Sequence, residues 1–408
     1  MERGLRSLQH KHPVLFCTPH RENEKYWLEE DPTLRIPIFE RERLNDETFR
    51  EVYLAEIEGK PMEPGVCPNK VFVFQRELIE EKEIGLFLAH FFCDGFSFFN
   101  AFCHLLEVAF ESPEREVKVT QTYALDCDSV FDREWQANGF GYLSFITNLG
   151  KALYRYIDNP FRSIGPYTLY RLPKTGIELS HENRAIPYTK QFTEEETVEL
   201  RKLCRTNGVT MTGYIAACIE KSIYERFFQG IRGTHGDGCF FRGLILMSLR
   251  DVCQVDNEAM SAFASAVPSN YSFPIERSDV VVTDWSHIIF SRARQIREGV
   301  IGQSKSFKLS HGYLGKIGNK SAPLVAIKLS YLLSSLNIET MKEKYGDFEV
   351  VDGQLLQNAR HTVAPLITAY PLGKRLHITC CGLVPLMEEK QIVDLLDDIM
   401  KNMRSFIS

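Results

Sequence analysis

The chain has 408 residues, of which 44% are hydrophobic and 25% are charged, and its formal net charge is −6. These values are those of an ordinary globular protein with a substantial core, and the length suggests two domains. The negative net charge excludes a globally basic surface, so we expect neither nucleic acid nor an anionic membrane as a partner.

Eleven cysteines are scattered along the sequence without a C-x-x-C pair, so their spacing does not predict a structural zinc site. No apolar stretch approaches the ~18 residues that span a membrane, and the N-terminus lacks the apolar run of a secretory leader. Together with the odd number of cysteines, these features predict a cytoplasmic protein with reduced thiols.

The first predicted element is a helix that ends before Pro13. Two strands are then predicted at Val71–Gln75 and Ile84–His90, joined as a hairpin across a charged connection. From Ser97 the apolar residues follow helical spacing. The pattern therefore places His90 at a strand end and Asp94 in the turn that leads into a helix.

The second half contains clearer signals. Prolines and glycines cluster near 173–190, which predicts a boundary between domains. Thr193 and Glu196 have the spacing of a capping box, and their helix should end at Asn207-Gly208. Further predicted elements are helices at 212–228 and 388–404 and strands at 243–249, 326–332 and 377–381. The alternation of helices and strands indicates α/β layers.

The segment from Leu88 to Asn100 contains a histidine and an aspartate four residues apart among phenylalanines. An imidazole can accept a proton near neutral pH and return it, so His90 is a candidate general base in a dry pocket. Asp94 would then need a cation, because an unpaired buried carboxylate is costly. The alternative is that His90 is a satisfied core histidine and Asp94 caps the helix.

Other reactive residues have simpler interpretations. Cys93 is interpreted as a small buried hydrophobe.

The segment 292–337 is strongly basic, and Glu298 is its one acidic residue. It could bind the phosphates of a nucleotide-bearing cofactor or form a solvated face. Its glycines lack the spacing of a phosphate-binding loop, and residues 230–238 are interpreted as a surface loop. The candidate cofactor-binding residues in the basic segment are Lys305, Lys308, Lys316 and Lys320.

Four segments together resemble the chloramphenicol-acetyltransferase-like superfamily of CoA-dependent acyltransferases. That group includes alcohol acetyltransferases, polyketide-associated acyltransferases and peptide-synthetase condensation domains. His90 to Gly95 resembles its H-x-x-x-D-G motif, and residues 5–15 resemble a first helix that ends in His-Pro. Residues 204–218 are similar to the segment that opens the second half, and residues 246–250 match a strand that ends in arginine.

The resemblance implies an α/β fold of two lobes, each a mixed sheet with helices, and an active-site tunnel between them. We expect residues 1–180 to form the N-terminal lobe and residues 181–408 the C-terminal lobe. Because the sequence begins almost at the His-Pro segment, we expect either that the first lobe lacks its first strand or that the chain is a shortened form.

The resemblance also implies roles for single residues. His90 would be the general base, whereas Asp94, next to Gly95, would be structural and paired with Arg250 across the two lobes. Ser335 and Asn337 lie in a segment that loosely resembles the donor-side Ser-Asn motif of the superfamily, and they would stabilise an oxyanion.

The predicted function is acyl transfer from a CoA thioester to a hydroxyl or amine acceptor, with no bound cofactor and no metal. Ala89 stands where condensation domains carry a second histidine, which favours free CoA over a carrier-bound donor. The phenylalanines around His90 would line an apolar pocket. The alternatives are a catalytically inactive relative that binds a ligand or protein, a hydrolase, and a condensation-type enzyme. We expect a monomer that acts on small molecules.

Overall fold

The computed structural model of this chain describes residues 1–22, 25–42, 48–58, 66–75, 82–90, 92–111, 163–164, 184–227, 238–248, 250–253, 255–256, 258–260, 264–274, 284–301, 329–336, 341–357, 364–384 and 386–407. The helices are α1 (Glu2–Lys11), α2 (Thr48–Glu58), α3 (Gly95–Phe110), α4 (Glu194–Thr206), α5 (Met211–Phe227), α6 (Arg250–Cys253), α7 (285–301) and α8 (Glu389–Arg404).

The strands are β1 (Cys17–Glu22), β2 (Lys25–Glu30), β3 (Ile38–Glu42), β4 (Lys70–Gln75), β5 (Lys82–Phe87), β6 (Ser163–Ile164), β7 (Arg184–Gln191), β8 (Gly238–Ser248), β9 (Ala264–Pro274), β10 (Tyr331–Ser335), β11 (Lys344–Tyr345), β12 (Phe348–Glu349), β13 (Leu366–Leu372) and β14 (Arg375–Val384).

The chain folds into two compact units, and each unit collects segments that are distant in sequence. The first unit contains Met1–Val130, Arg250–Ala264 and Ile338–Gly353. The second contains Phe131–Leu249, Ser265–Asn337 and Gln354–Ser408. Two segments from the second half of the sequence therefore belong to the first unit.

The first unit is built on a mixed sheet in which β3 runs parallel to β4 and β4 runs antiparallel to β5. The predicted hairpin is confirmed, with Val71 opposite Leu86. Helix α1 also matches its prediction, because it ends at Lys11, before Pro13. Its apolar face packs with α3 and the sheet in one core cluster, which includes Leu5, Leu8, Val71, Leu86, Ala101 and Leu105.

His12 follows α1 and is buried in this unit. Burial, reinforced by the charge of Lys11 and by His104, lowers the pKa of His12 to about 3. The unfolded chain takes up this proton near pH 6.5, whereas the folded chain resists it until about pH 3. The stability that depends on neutral His12 is therefore complete above pH 6.5 and is lost as the pH falls towards 3.

We expect the free energy of unfolding to fall by about 2 kcal/mol between pH 7 and pH 5 on account of His12 alone. The measurement is urea unfolding of the wild-type chain and of His12→Gln at both values of pH. The decline should be smaller by about 2 kcal/mol in the variant, because the titrating group is gone. Equal declines in the two proteins would contradict the assignment.

Within the described residues, the second unit is built on a seven-stranded mixed sheet. Strands β6, β8, β10 and β13 are parallel neighbours in that order, and β14 and β7 continue the sheet antiparallel. The seventh strand, β9, pairs with β8 outside this order. Strand β7 is the last strand in this order and contains Pro187. Proline lacks a backbone N–H, so it is tolerated on an edge strand, where it interrupts no ladder of hydrogen bonds. The strand predicted at 326–332 starts later than expected, at Tyr331, and residues 326–328 lie outside the described part of the chain.

Helix α5 is the central helix of the second unit, since Gly213 to Ile223 are all buried. It carries Glu220, whose carboxylate accepts hydrogen bonds from Arg292 Nε at 2.7 Å and Nη2 at 2.9 Å. The Tyr331 hydroxyl donates to the same carboxylate at 2.8 Å, and Arg292 Nη2 also donates to Ser269. Each charge of this buried ion pair is balanced by the other and is satisfied by a further hydrogen bond, as a buried charge requires.

Helices α4 and α8 of this unit follow their predictions, whereas α7 was not predicted from the sequence. Thr193 caps α4 in a capping box with Glu196, and the helix ends at Asn207 followed by Gly208 with φ of 66°. Helix α8 buries its apolar face, including Ile392, Leu395 and Ile399. In the described part of the chain, every helix is too short or too polar to cross a membrane.

Candidate functional site

His90 lies in a tight turn between the end of β5 and the start of α3. The N–H of Phe92 donates to the carbonyl of Ala89 at 3.0 Å, which closes the turn around His90. The His90 side chain is exposed, and its ring forms no hydrogen bond with any residue that the structure describes. The expectation that His90 is buried is therefore wrong, and so is its interpretation as a satisfied core histidine. The residue is accessible to solvent.

Asp94 is buried at the N-terminus of α3, with 4% of its surface exposed. Its Oδ1 accepts hydrogen bonds from the Ser97 N–H at 2.8 Å and from the Ser97 hydroxyl at 2.7 Å, while the Asp94 N–H donates to Ser97 Oγ at 3.2 Å. This reciprocal arrangement fixes the first turn of the helix, which begins at Gly95. The prediction that Asp94 caps the helix is confirmed.

Arg250 supplies the cation that the buried carboxylate requires. Its Nη2 donates to Asp94 Oδ1 at 3.2 Å, to Asp94 Oδ2 at 3.1 Å and to Ser97 Oγ at 2.9 Å. Its Nη1 donates at 2.9 Å to the carbonyls of Asp256 and Ala259. Only 2% of the Arg250 surface is exposed, so both charges are shielded from water.

One nitrogen of the guanidinium contacts both oxygens of Asp94, and the other donates to two main-chain carbonyls. The pairing of Asp94 with Arg250 is as expected, but we expected it to join the two lobes, and both residues belong to the first unit. Arginine suits this position because its fork serves two separate groups, which an ammonium cannot do in the same way.

Cys93, the residue that precedes Asp94, is buried. Burial, with a smaller effect of Asp94, raises the pKa of its thiol to about 12. Its Sγ faces the Ala89 carbonyl at 3.9 Å. A thiol that resists ionisation is a poor nucleophile, which agrees with the interpretation of Cys93 as a small buried hydrophobe.

Asn69 is a residue that the sequence analysis missed. It directly precedes β4, has 0% of its surface exposed, and accepts a hydrogen bond from the Ala89 N–H on its Oδ1 at 3.0 Å. Its Nδ2 is buried and has no hydrogen-bond partner among the described residues. Nothing in the local sequence Cys67-Pro-Asn-Lys70 distinguishes this contact from an ordinary turn, because its partner lies twenty residues away.

The phenylalanines around His90 serve mainly to pack the first unit. Phe92 lies in the apolar core cluster and Phe98 packs against it, while Phe99 is also buried. The ring of Phe96 lies 5.5 Å from the Arg250 guanidinium, within the range of a cation–π contact. Phe91 lies outside the described residues. The predicted apolar pocket is thus largely an apolar core.

The donor-side candidates belong to the second unit. Ser335 ends β10, and its Oγ accepts a hydrogen bond from the Thr212 hydroxyl at 2.9 Å. The Ser335 hydroxyl hydrogen therefore stays available for another acceptor. Asn337 lies outside the described residues, as do Lys305, Lys308, Lys316 and Lys320.

The described arginines of the basic segment have partners in the protein. Arg292 is buried against Glu220, Arg294 donates to the carbonyl of Asn207 at 3.3 Å, and Arg297 donates to that of Gly208 at 3.0 Å. These three residues attach α7 to α5 and to the end of α4. Of these three arginines, Arg292 belongs to the core, whereas Arg294 and Arg297 are exposed. No group of side chains in the described ranges is arranged to hold a metal ion.

Comparison with known proteins shows the fold. No family profile and no curated protein matches the sequence, but solved structures do. Trichothecene 15-O-acetyltransferase from Fusarium sporotrichioides is 13% identical with a TM-score of 0.69, over 100% of this chain and 86% of that one. Polyketide synthase associated protein 5 from Mycobacterium tuberculosis is 13% identical with a TM-score of 0.63, over 99% and 90% of the two chains.

A third similar structure is the condensation domain of the monacolin K polyketide synthase MokA, which is 10% identical with a TM-score of 0.65, over 99% of this chain and 88% of that one. These likenesses extend over nearly the whole chain. The chain therefore has the chloramphenicol-acetyltransferase-like α/β fold that the sequence motifs predicted, with mixed sheets and covering helices in both units.

Proposed function

We propose that this protein transfers an acyl group from a CoA thioester to a hydroxyl or amine of a small-molecule acceptor, with His90 as the general base. The observation that carries the proposal is the accessible ring of His90, held in a turn whose next charged residue, Asp94, is fixed by Arg250. An imidazole with no protein partner among the described residues is able to take a proton from an acceptor.

Two further observations support acyl transfer. The fold is shared with a trichothecene 15-O-acetyltransferase, whose name records transfer of an acetyl group to an oxygen. The buried Asp94 carboxylate accepts hydrogen bonds from Ser97 and Arg250, which supports a structural role for Asp94 and leaves His90 for the chemistry. Cys93 does not compete as nucleophile, because burial keeps its thiol protonated.

The reaction needs one proton acceptor and one site for negative charge. His90 takes the proton from the acceptor hydroxyl or amine, whose oxygen or nitrogen attacks the thioester carbonyl. The tetrahedral intermediate then expels the thiolate, which receives the proton from the imidazolium. General-base assistance of this kind contributes about 10²–10⁴-fold to the rate.

A condensation-type reaction with a carrier-bound donor is the second candidate, because a condensation domain is among the similar structures. The two candidates use the same base and differ in the group that delivers the thioester. The residue before His90 is Ala89, and this absence of a second histidine favours free CoA.

The test is incubation of the purified chain with acetyl-CoA or octanoyl-CoA and a panel of alcohols and amines, followed by mass spectrometry of the products. We expect an ester or amide together with one free CoA thiol for each product molecule. Free acid as the main product would indicate a hydrolase. Product formed only from a phosphopantetheine-loaded carrier protein would indicate the condensation-type reaction, and no product from either donor would contradict acyl transfer.

A further inference from the structure

Because the ring of His90 is not held by a side chain in the described part of the structure, the main chain must set its position. The turn around His90 has two fixed ends. At the C-terminal end, Asp94 is held by Ser97 and Arg250. At the N-terminal end, the ladder between β4 and β5 stops at the pair Lys70 and Phe87, three residues before His90.

Beyond that last pair, a side chain continues the ladder. Asn69 Oδ1 accepts the N–H of Ala89 at 3.0 Å, at a point where a neighbouring strand would otherwise offer its carbonyl. The carbonyl of Ala89 is held as well, since it accepts the N–H of Phe92. Both main-chain groups of the residue before His90 are therefore fixed, and one of them depends on Asn69.

The second group of the Asn69 amide makes the residue unusual. Its Nδ2 is buried without a hydrogen-bond partner among the described residues, although the side chain is 0% exposed. A buried donor without a partner costs free energy. An apolar side chain of the same shape would avoid this cost, so packing alone does not account for an asparagine here.

We propose that Asn69 is a positioning residue for acyl transfer, whose side-chain oxygen fixes the main chain at Ala89 and thereby the place of the His90 ring. This inference rests on the proposed role of His90 as base. Asn69 touches neither donor nor acceptor, because it is fully buried. Its contribution is geometric, and misplacement of a catalytic group by about 1 Å lowers rates by up to about 100-fold.

The first variant is Asn69→Leu, which keeps the size of the side chain and removes both the acceptor and the orphaned donor. We expect kcat to fall by about 10- to 100-fold with KM within about threefold of wild type. The melting temperature should stay close to that of the wild type, because the loss of the acceptor is offset by the removal of the orphaned donor. Hydrogen exchange of the Ala89 amide should become faster.

The second variant, Asn69→Asp, keeps an oxygen in the place of Oδ1. We expect it to recover kcat per folded molecule to within about threefold of wild type, since the contact with Ala89 is restored, although burying a carboxyl group at this position lowers stability. Asn69→Ala serves in place of the leucine variant if that one does not fold. Asn207→Leu is the control, because it also removes a hydrogen bond between an asparagine side chain and the main chain, from Asn207 Nδ2 to Leu203 O at 3.0 Å, but in the second unit.

The assays use acetyl-CoA with whichever acceptor the product screen identifies, and His90→Ala is measured beside them. Loss of kcat in Asn69→Leu with recovery in Asn69→Asp supports the proposal. Wild-type kcat in Asn69→Leu overturns it, and so does a loss that the aspartate fails to recover. If the wild-type chain forms no acyl product, the proposed function is wrong, and if His90→Ala retains wild-type turnover, the assignment of His90 as base is wrong. If only His90→Ala loses turnover, the function stands and the positioning role falls.

Discussion

Replacing His90 with alanine is expected to lower kcat for acyl transfer by about 10²–10⁴-fold, which is the range for loss of a general base. The substitution should leave the fold intact, because the His90 side chain is exposed and makes no hydrogen bond with a described residue. The melting temperature of His90→Ala should therefore match that of the wild type. Donor binding, measured by calorimetry with CoA, should also persist.

His287→Ala is the matched control for this prediction. His287 is also an exposed histidine, and it lies near the start of α7 in the second unit. Its substitution should leave kcat unchanged. Equal losses in both variants would show that the assay responds to general damage rather than to removal of a base.

The second large effect concerns stability. Arg250→Met should lower the free energy of unfolding by about 3–5 kcal/mol, which is the usual cost of stranding one partner of a buried ion pair. The substitution leaves the Asp94 carboxylate buried without its cation and deprives the carbonyls of Asp256 and Ala259 of a donor. The substitution should reduce the amount of folded protein more than it reduces the turnover of each folded molecule. Urea unfolding and active-site titration of the folded fraction measure the two quantities.

A matched arginine lies on the surface of the second unit. Arg226 contacts Asp394 at 3.0 Å and also Asp398, but it is partly exposed to solvent. Arg226→Met should therefore cost no more than about 1 kcal/mol. The double variant Asp94→Asn with Arg250→Met should recover part of the loss, since a neutral asparagine still caps α3. Wild-type stability in Arg250→Met would mean that the pair does not hold the turn.

Local chemistry made several elements predictable from sequence. The capping box at Thr193 and the left-handed Gly208 act within one helix, so their signals are contained in a few neighbouring residues. The turn before α3 was predictable for the same reason. The need of Asp94 for a cation followed from the cost of burying charge, and the family resemblance pointed to Arg250.

Long-range contacts were less predictable. His90 is surrounded in sequence by apolar residues, which suggested burial, but the turn directs Phe92 into the core and leaves His90 exposed. The contact of Asn69 with Ala89 joins segments twenty residues apart and leaves no periodic signal. The hairpin of β1 and β2 was missed because its sequence is rich in charged residues. The sequence analysis placed Arg292 in a basic surface segment, but Arg292 forms a buried ion pair with Glu220.

The most direct test of the central claim is chemical rescue of His90→Ala with imidazole. If His90 acts by transferring a proton, added imidazole should restore turnover in proportion to the concentration of its neutral form, with the acyl group appearing on the acceptor. The same addition should leave Asn69→Leu unchanged, because that variant keeps its own base. If His90→Ala transfers the acyl group at the wild-type rate without imidazole, His90 is not the base and the account is contradicted.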